Sequence, residues 1–407
     1  MRGMASSVTT GFGPGDLSLA LLRDGYEFWG RRREREQSTV VRARILGQRA
    51  TCVVGPEAAR RFYEEPGLER SSALPAPIVR TLLGHGAVHT LDGDAHRDRK
   101  AWFVDVLDPA AVGQVAGALD DLWDEEAPAW GDVVDVFDVV PRLLLRAGCR
   151  WVGLPDPGER TGALARDMLR MVDAFGGPGP RHWRAYRARE RVESWVEEEI
   201  KRARHLPPAG TPLATAAYLR DVDGTLLPSR VAAVEVVNLV RPLVAVTWLV
   251  SGLARLLAAD HTLRDRMEDP FAAVEVAQEV RRTTPFVPFL AARATRELDW
   301  DGVRVPRGTL VVLDVWGTDH DARAWNRPYD FDPDRYQRSP VTPYNLVPQG
   351  GGRVADGHRC PGEDLTLAAL VTIGRRLAET PYGSRTEPPS LRRMPPEPEH
   401  LLRLAGR

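Results

Sequence analysis

The chain has 407 residues, 43% of them hydrophobic, enough for a large core. Its formal net charge is −1, so bulk charge gives no reason to expect a nucleic-acid or anionic-membrane partner. The three cysteines, Cys52, Cys149 and Cys360, are too few and too scattered for a disulfide framework and fit a reducing, cytoplasmic compartment.

In chain order, residues 1–20 are small and polar, with no basic start followed by an apolar run, so no signal peptide is read there. Residues 39–54 predict a β-hairpin: 40–46 and 50–54 are rich in β-formers, with Gly47-Gln48-Arg49 between them. Pro56 opens a helix through Arg61 and Phe62, because proline suits a first helical turn. The pattern from 95 to 285 is helical, over 98–107, 109–128, 137–152, 158–175, 182–204, 229–259, 263–268 and 271–284. Gly176-Gly177-Pro178-Gly179-Pro180 interrupts it. Residues 290–315 turn to short strands around Pro306-Arg307-Gly308. A proline-rich irregular stretch covers 321–359, and a last long helix 362–378. No repeat or linker is visible. The expectation is one domain over 1–407, mainly α with a small β region at 39–54, a helical core at 95–285 and a cysteine loop at 348–363.

The most apolar stretch, 243–254, is shorter than the ~20 residues of a spanning helix, so it reads as a buried core helix and not a membrane anchor. It belongs to the long helix 230–259, for which Ser229 is a candidate N-cap. Arg241 and Pro242 sit in the interior of that helix. Proline there costs ~3 kcal/mol and frees a carbonyl. Arginine in a core cannot lose its proton and needs an anion. No acidic residue lies three or four positions away, and Glu235, six back, points to nearly the opposite side. The partner is either an anionic ligand or a distant Asp or Glu of the fold.

The segment Pro348-Gln349-Gly350-Gly351-Gly352-Arg353-Val354-Ala355-Asp356-Gly357-His358-Arg359-Cys360-Pro361-Gly362-Glu363 lets backbone approach a flat ligand closely. Cys360 then stands at the start of the last helix, whose positive end favours a thiolate. Read alone, Cys360 is equally an ordinary loop cysteine.

This loop resembles that of the cytochrome P450 superfamily. The superfamily's usual phenylalanine and glycine, seven and four residues before the cysteine, are replaced by Arg353 and Asp356. The longer 350–356 stretch is similar instead to the fatty-acid peroxygenase and decarboxylase branch. That resemblance implies a P450 fold, with haem b between a long central helix and the cysteine-loop helix, and Cys360 as the iron ligand. It implies that Glu279, Arg282 and Arg335 form a buried network behind the loop. It also implies that His96 and Lys100, and more weakly Arg70 and His358, reach the haem propionates. Without the resemblance, each of these is a surface ion pair or a solvated polar residue.

Arg-Pro at 241–242 matches the same branch and replaces the acid-alcohol pair of ordinary monooxygenases. The expected chemistry is oxidation of a long-chain fatty acid by hydrogen peroxide, with no redox partner. Arg241 holds the substrate carboxylate, and that carboxylate acts as general acid-base. Leu83, Val172, Phe175, Phe286 and Phe289 match channel-lining positions of the branch; alone they read as core. His89 matches a position where alkene-forming members have histidine and hydroxylating members have glutamine. Leu83 stands where several β-oxidising members have phenylalanine, so mixed products are expected. The competing readings are a redox-partner-dependent monooxygenase, a non-catalytic haem sensor and a non-haem anion binder.

Overall fold

The computed structural model describes residues 15–175, 179–207, 209–384, 387–397 and 401–404. Most of the N-terminal stretch read for a signal peptide, and Gly176-Gly177-Pro178 of the helix interruption, lie outside these residues. The helical pattern between 95 and 285 is observed as α1 (Gly93–Val106), α2 (Pro109–Glu126), α3 (Val136–Val152), α4 (Thr161–Asp173), α5 (Pro180–Ala203), α6 (Ser229–Ala245), α7 (Thr247–Ala259) and α8 (Pro270–Thr283), with a short helix at Thr262–Arg266. The last long helix is α9 (Glu363–Glu379). Prolines open α2, α5 and α8, where a missing N–H costs nothing. Asp108, Asp135 and Asp269 cap α2, α3 and α8 by accepting backbone N–H groups of the first turn.

One apolar cluster joins α3 (Leu143, Leu144, Leu145) and α6 (Val236, Val237, Val240) to side chains of α7, α8 and α9. Helix α6 is apolar almost all round because neighbours cover it on several sides. The run Ser229–Ala259 is long and apolar enough to cross a membrane by length and composition, and 61% of its most apolar window is buried inside the fold. It therefore packs as a core helix.

Two details of this helix differ from the sequence reading. It is broken at Val246, four residues after Pro242. Pro242 cannot donate to the Asn238 carbonyl, and the Thr247 hydroxyl donates back to Val244 O at 2.7 Å, so two local effects weaken the ladder near the break. Ser229 does not cap the helix; its hydroxyl donates to Glu197 Oε1 at 2.7 Å.

The predicted hairpin is observed as β1 (Val40–Ile45) and β2 (Gln48–Val53). With β3 (Leu68–Glu69), β4 (Phe289–Ala294) and β5 (Leu310–Asp314) these form a sheet of order β1-β2-β5-β4-β3. Pairing is antiparallel except between β2 and β5, where Ala50 stands opposite Leu310. The sheet delivers Phe289 and Leu290 to the site described below. Sequence reasoning missed the helices Ser18–Asp24, Phe28–Glu36 and Pro212–Ala217, and the small sheet of 133–135, 382–384 and 401–404.

His320 is buried between Trp316 and Tyr329, and burial holds its imidazole down to about 3. The folded state thus keeps it neutral while the unfolded chain takes up a proton below ~6.5. Its contribution to stability is present above pH ~6.5 and is lost as pH falls from there toward 3. Melting temperature followed from pH 7 to 4 is expected to fall less steeply in a His320→Asn variant than in the wild type.

Candidate active site

Two adjoining cavities lie against α6. One, of about 320 Å³, is lined by Cys360, Gly362 and Gln349 of the cysteine loop, by His96 and Lys100 of α1, and by Pro242. The other, of about 300 Å³, is lined by Leu83, Val172, Phe175 and Phe289, with Tyr63 and Arg70. His89, Arg241, Phe286, Val287, Leu290 and His358 line both and so form the boundary. Every residue singled out for the site from the sequence lies on one of these two walls, although Arg70 lines only the second.

Cys360 Sγ accepts the Gly362 N–H at 3.4 Å and the Gln349 amide at 3.6 Å. Gln349 is held in turn by Arg281 Nε at 2.9 Å and Thr366 Oγ1 at 3.1 Å. In the polypeptide alone, burial pushes the Cys360 thiol up and favours the protonated form, while Lys100 and the donors Gly362 N–H and Gln349 favour the thiolate. A coordinated metal ionises the cysteine, because a metal-bound thiol gives up its proton. Among the described residues, no group of three or more His, Cys, Asp or Glu side chains could hold a metal ion. A metal at Cys360 must bring its other ligands with it, as a macrocycle does.

The polar rim of the first cavity is built from α1 and the cysteine loop. His96 and His358 stack with ring centroids 3.9 Å apart, and His358 Nε2 lies 3.6 Å from Asp92. Burial lowers His96 to about 3 and Lys100 to about 8. Lys100 Nζ donates to the Arg359 carbonyl. Arg70 donates to Ala291 O at 2.9 Å and lies over the Phe62 ring at 4.0 Å. Three of the four rim candidates, Lys100, Arg70 and His358, are thus already engaged by the protein.

Behind the loop, Glu279 accepts from Arg282 (2.7 and 2.9 Å), Arg335 (2.9 Å), Tyr336 (3.0 Å) and the Asp332 N–H (2.9 Å). Glu279, Arg282 and Arg335 are all buried.

Arg241 carries the strongest electrostatic signal. It is 7% exposed, and its buried Nε has no hydrogen-bond partner. Among the described residues it forms no ion pair with a carboxylate: Glu235 is taken by Arg99 at 2.7 Å. Burial, with repulsion from Arg189, pushes its guanidinium down to about 9, still protonated at neutral pH. The distant acidic partner left open by the sequence is not found there. His89 lines both cavities and is an exposed side chain; its depth in the fold and the nearby Arg241 lower it to about 3, so it stands neutral.

Sequence reasoning gave no role to Gln349, Asn238 or Glu235. The signal for the last two was present: polar residues at 235, 238 and 241 recur every third position in an apolar helix. Asn238 lines the first cavity and its buried Oδ1 has no partner.

The cytochrome P450 family model matches residues 259–373. A putative cytochrome P450 135B1 of Mycobacterium tuberculosis is 25% identical over 332 residues, covering 74% of this chain and 69% of that protein. Among solved structures, P450SP alpha (CYP152B1) in complex with (R)-ibuprofen is 35% identical with a TM-score of 0.91, covering 96% of this chain and 98% of that one. A single-site variant of cytochrome P450 OleT in complex with arachidonic acid is 33% identical with a TM-score of 0.93, covering 97% and 98%.

Proposed function

We propose, from the premise that this chain belongs to the cytochrome P450 superfamily and to the branch of P450SP alpha and OleT, that it oxidises long-chain fatty acids with hydrogen peroxide. Haem b is the cofactor of this fold, and the first cavity fits it: one sulfur ligand on the wall, a rim where the Lys100 ammonium and two imidazoles can donate to carboxylates, and, among the described residues, no ligand set for a bare ion. When bound, the haem supplies the redox-active iron at which peroxide is cleaved and the alkyl chain oxidised. Cys360 would ligate the iron, and His96, Lys100, His358 and Arg70 would face the propionates. Gln349 and the Gly362 N–H would temper the sulfur's electron donation.

The observation that carries the proposal is the buried, anion-free guanidinium of Arg241 at the junction of the two cavities. A carboxylate placed there gains charge-assisted hydrogen bonds and relieves an uncompensated charge. The alkyl chain then occupies the second cavity among Leu83, Val172, Phe175, Phe286 and Phe289. The neighbours' ligands, arachidonic acid and ibuprofen, are both carboxylic acids, in keeping with this reading.

Peroxide needs a group to carry its proton from one oxygen to the other. Among the described residues, the ionisable side chains on the shared wall are Arg241, held as a cation, and the histidines His89 and His358. A substrate carboxylate held at Arg241 is placed to carry this proton between the two oxygens of peroxide. Pro242 lines the first cavity beside Arg241 and leaves the Asn238 carbonyl without its helical N–H donor. His89, whose basicity rises once an anion offsets Arg241, exchanges a proton with the same carboxylate. Hydroxylation at the α or β carbon turns acid and peroxide into hydroxy acid and water. Decarboxylation yields terminal alkene, carbon dioxide and two waters. No electron-donating partner protein enters either balance.

The test is gas chromatography after adding hydrogen peroxide to haem-loaded protein with palmitate or its methyl ester. The acid should yield hydroxy acids and 1-alkene, and the ester, lacking an ionisable proton carrier, should remain unchanged. Equal turnover of the ester, or turnover only with ferredoxin and NAD(P)H, would overturn the proposal.

A further inference from the structure

Glu235 has no task in the reading above, yet it is fully buried on α6, six residues before Arg241. Its Oε1 accepts the Val88 N–H at 2.9 Å and Arg99 Nη1 at 2.7 Å. Its Oε2 faces the Asn238 amide at 3.4 Å. Val88 directly precedes His89. Asn238 also donates to Leu83 O at 2.9 Å, and Arg189, reaching over from α5, donates to Leu82 O at 2.7 Å and Leu83 O at 2.8 Å. The stretch 82–89 belongs to no long helix or strand. These buried side chains supply partners that regular structure would otherwise give its backbone. Gly84 makes this possible: its φ is +90°, and a Cβ there would lie 2.3 Å from Arg189 Nη2.

The stretch held in this way presents Leu83 and His89 to the cavities. Burying a carboxylate is costly even when it is paired. Pairing with buried Arg99 is a reason for the charge of Glu235 but not for its second bond, to the Val88 N–H. Placement offers one. Helix α6 carries Glu235 and Arg241 on one rod, and the Glu235–Val88 bond ties His89 to that rod.

Building on the function proposed above, we infer that Glu235 is a positioning residue: it fixes His89 relative to Arg241 and thereby sets the split between decarboxylation and hydroxylation. It touches neither substrate nor cofactor and acts through the Val88 backbone.

The experiment uses haem-loaded wild type, His89→Gln, Glu235→Gln and the double variant, with palmitate and peroxide, scoring the ratio of 1-alkene to hydroxy acids. His89→Gln should lower that ratio, Glu235→Gln should lower it roughly threefold or more, and the double variant should match His89→Gln alone, because both changes act on one group. Hydrogen exchange of the same holoproteins gives a readout independent of turnover: the Val88 and His89 amides should exchange faster in Glu235→Gln. If that variant does not fold, Arg99→Lys, which loosens the same carboxylate, should show both effects. Multiplying effects in the double variant, or unchanged Val88 exchange, would overturn the inference. A shift in His89→Gln with none in Glu235→Gln sinks the inference and spares the proposed function. A ratio unmoved by His89→Gln removes the role of His89 and the inference with it; absence of any product sinks both.

Discussion

Replacing Glu279 by alanine is expected to lower the stability of the protein by about 3–5 kcal/mol, the cost of breaking a buried ion pair by deleting one partner. Glu279 is wholly buried and is the shared acceptor for Arg282, Arg335, Tyr336 and the Asp332 N–H. Deleting it leaves the two buried guanidinium groups hydrogen-bonded to backbone carbonyls: Asp319, Pro328 and Asp330 for Arg282, and Asn326, Arg327 and Asp330 for Arg335. Those carbonyls orient the cations without neutralising them. Glu279→Gln should fall between the two, since it keeps acceptors and loses the charge. The denaturant midpoint of the three proteins, with the slope unchanged, checks the order. An alanine variant within about 1 kcal/mol of wild type, the scale of an exposed pair, would show that the network contributes little.

The largest effect on activity is expected at Arg241. Its replacement by alanine should cut fatty-acid turnover by about a hundredfold or more, the scale of removing one preorganised donor from a water-poor site. The fold should tolerate the change better than most deletions in a core. Arg241 meets no carboxylate among the described residues, so no buried anion is stranded, and an uncompensated charge is removed. Haem binding through Cys360 is separate, because the sulfur's hydrogen bonds come from Gly362 and Gln349. Loss of turnover with the thiolate spectrum intact is therefore the expected signature, and it separates a role in substrate binding from collapse of the site.

Much of this was legible from residue patterns. The periodic pattern located α2 and α8 to within two residues, and the first-turn prolines with Asp108 and Asp269 before them are the local reason these helices start where they do. The Cys360 loop and the Arg241-Pro242 pair stood out because each is costly unless something compensates for it. The break at Val246 was missed, since it depends on Thr247 bonding back to Val244 as well as on Pro242. The C-terminal strand 401–404 was missed because its partners lie at 133–135 and 382–384, and such pairing leaves little local periodicity. Glu235 illustrates the same limit. Its spacing from Arg241 was visible, but its true partners, Arg99 and Val88, lie more than a hundred residues away in the chain. Around Cys360 the sequence showed the helix end but not the burial that opposes ionisation, which depends on packing from distant parts of the chain.

The central claim is that a fixed cation recruits an acid whose own oxygens move the proton of peroxide. It is tested most directly by the rate of palmitate consumption with hydrogen peroxide, measured for wild type and Arg241→Ala at equal haem content. The account predicts rapid conversion by the first and almost none by the second, with matching haem spectra. Comparable rates for the two proteins would contradict it.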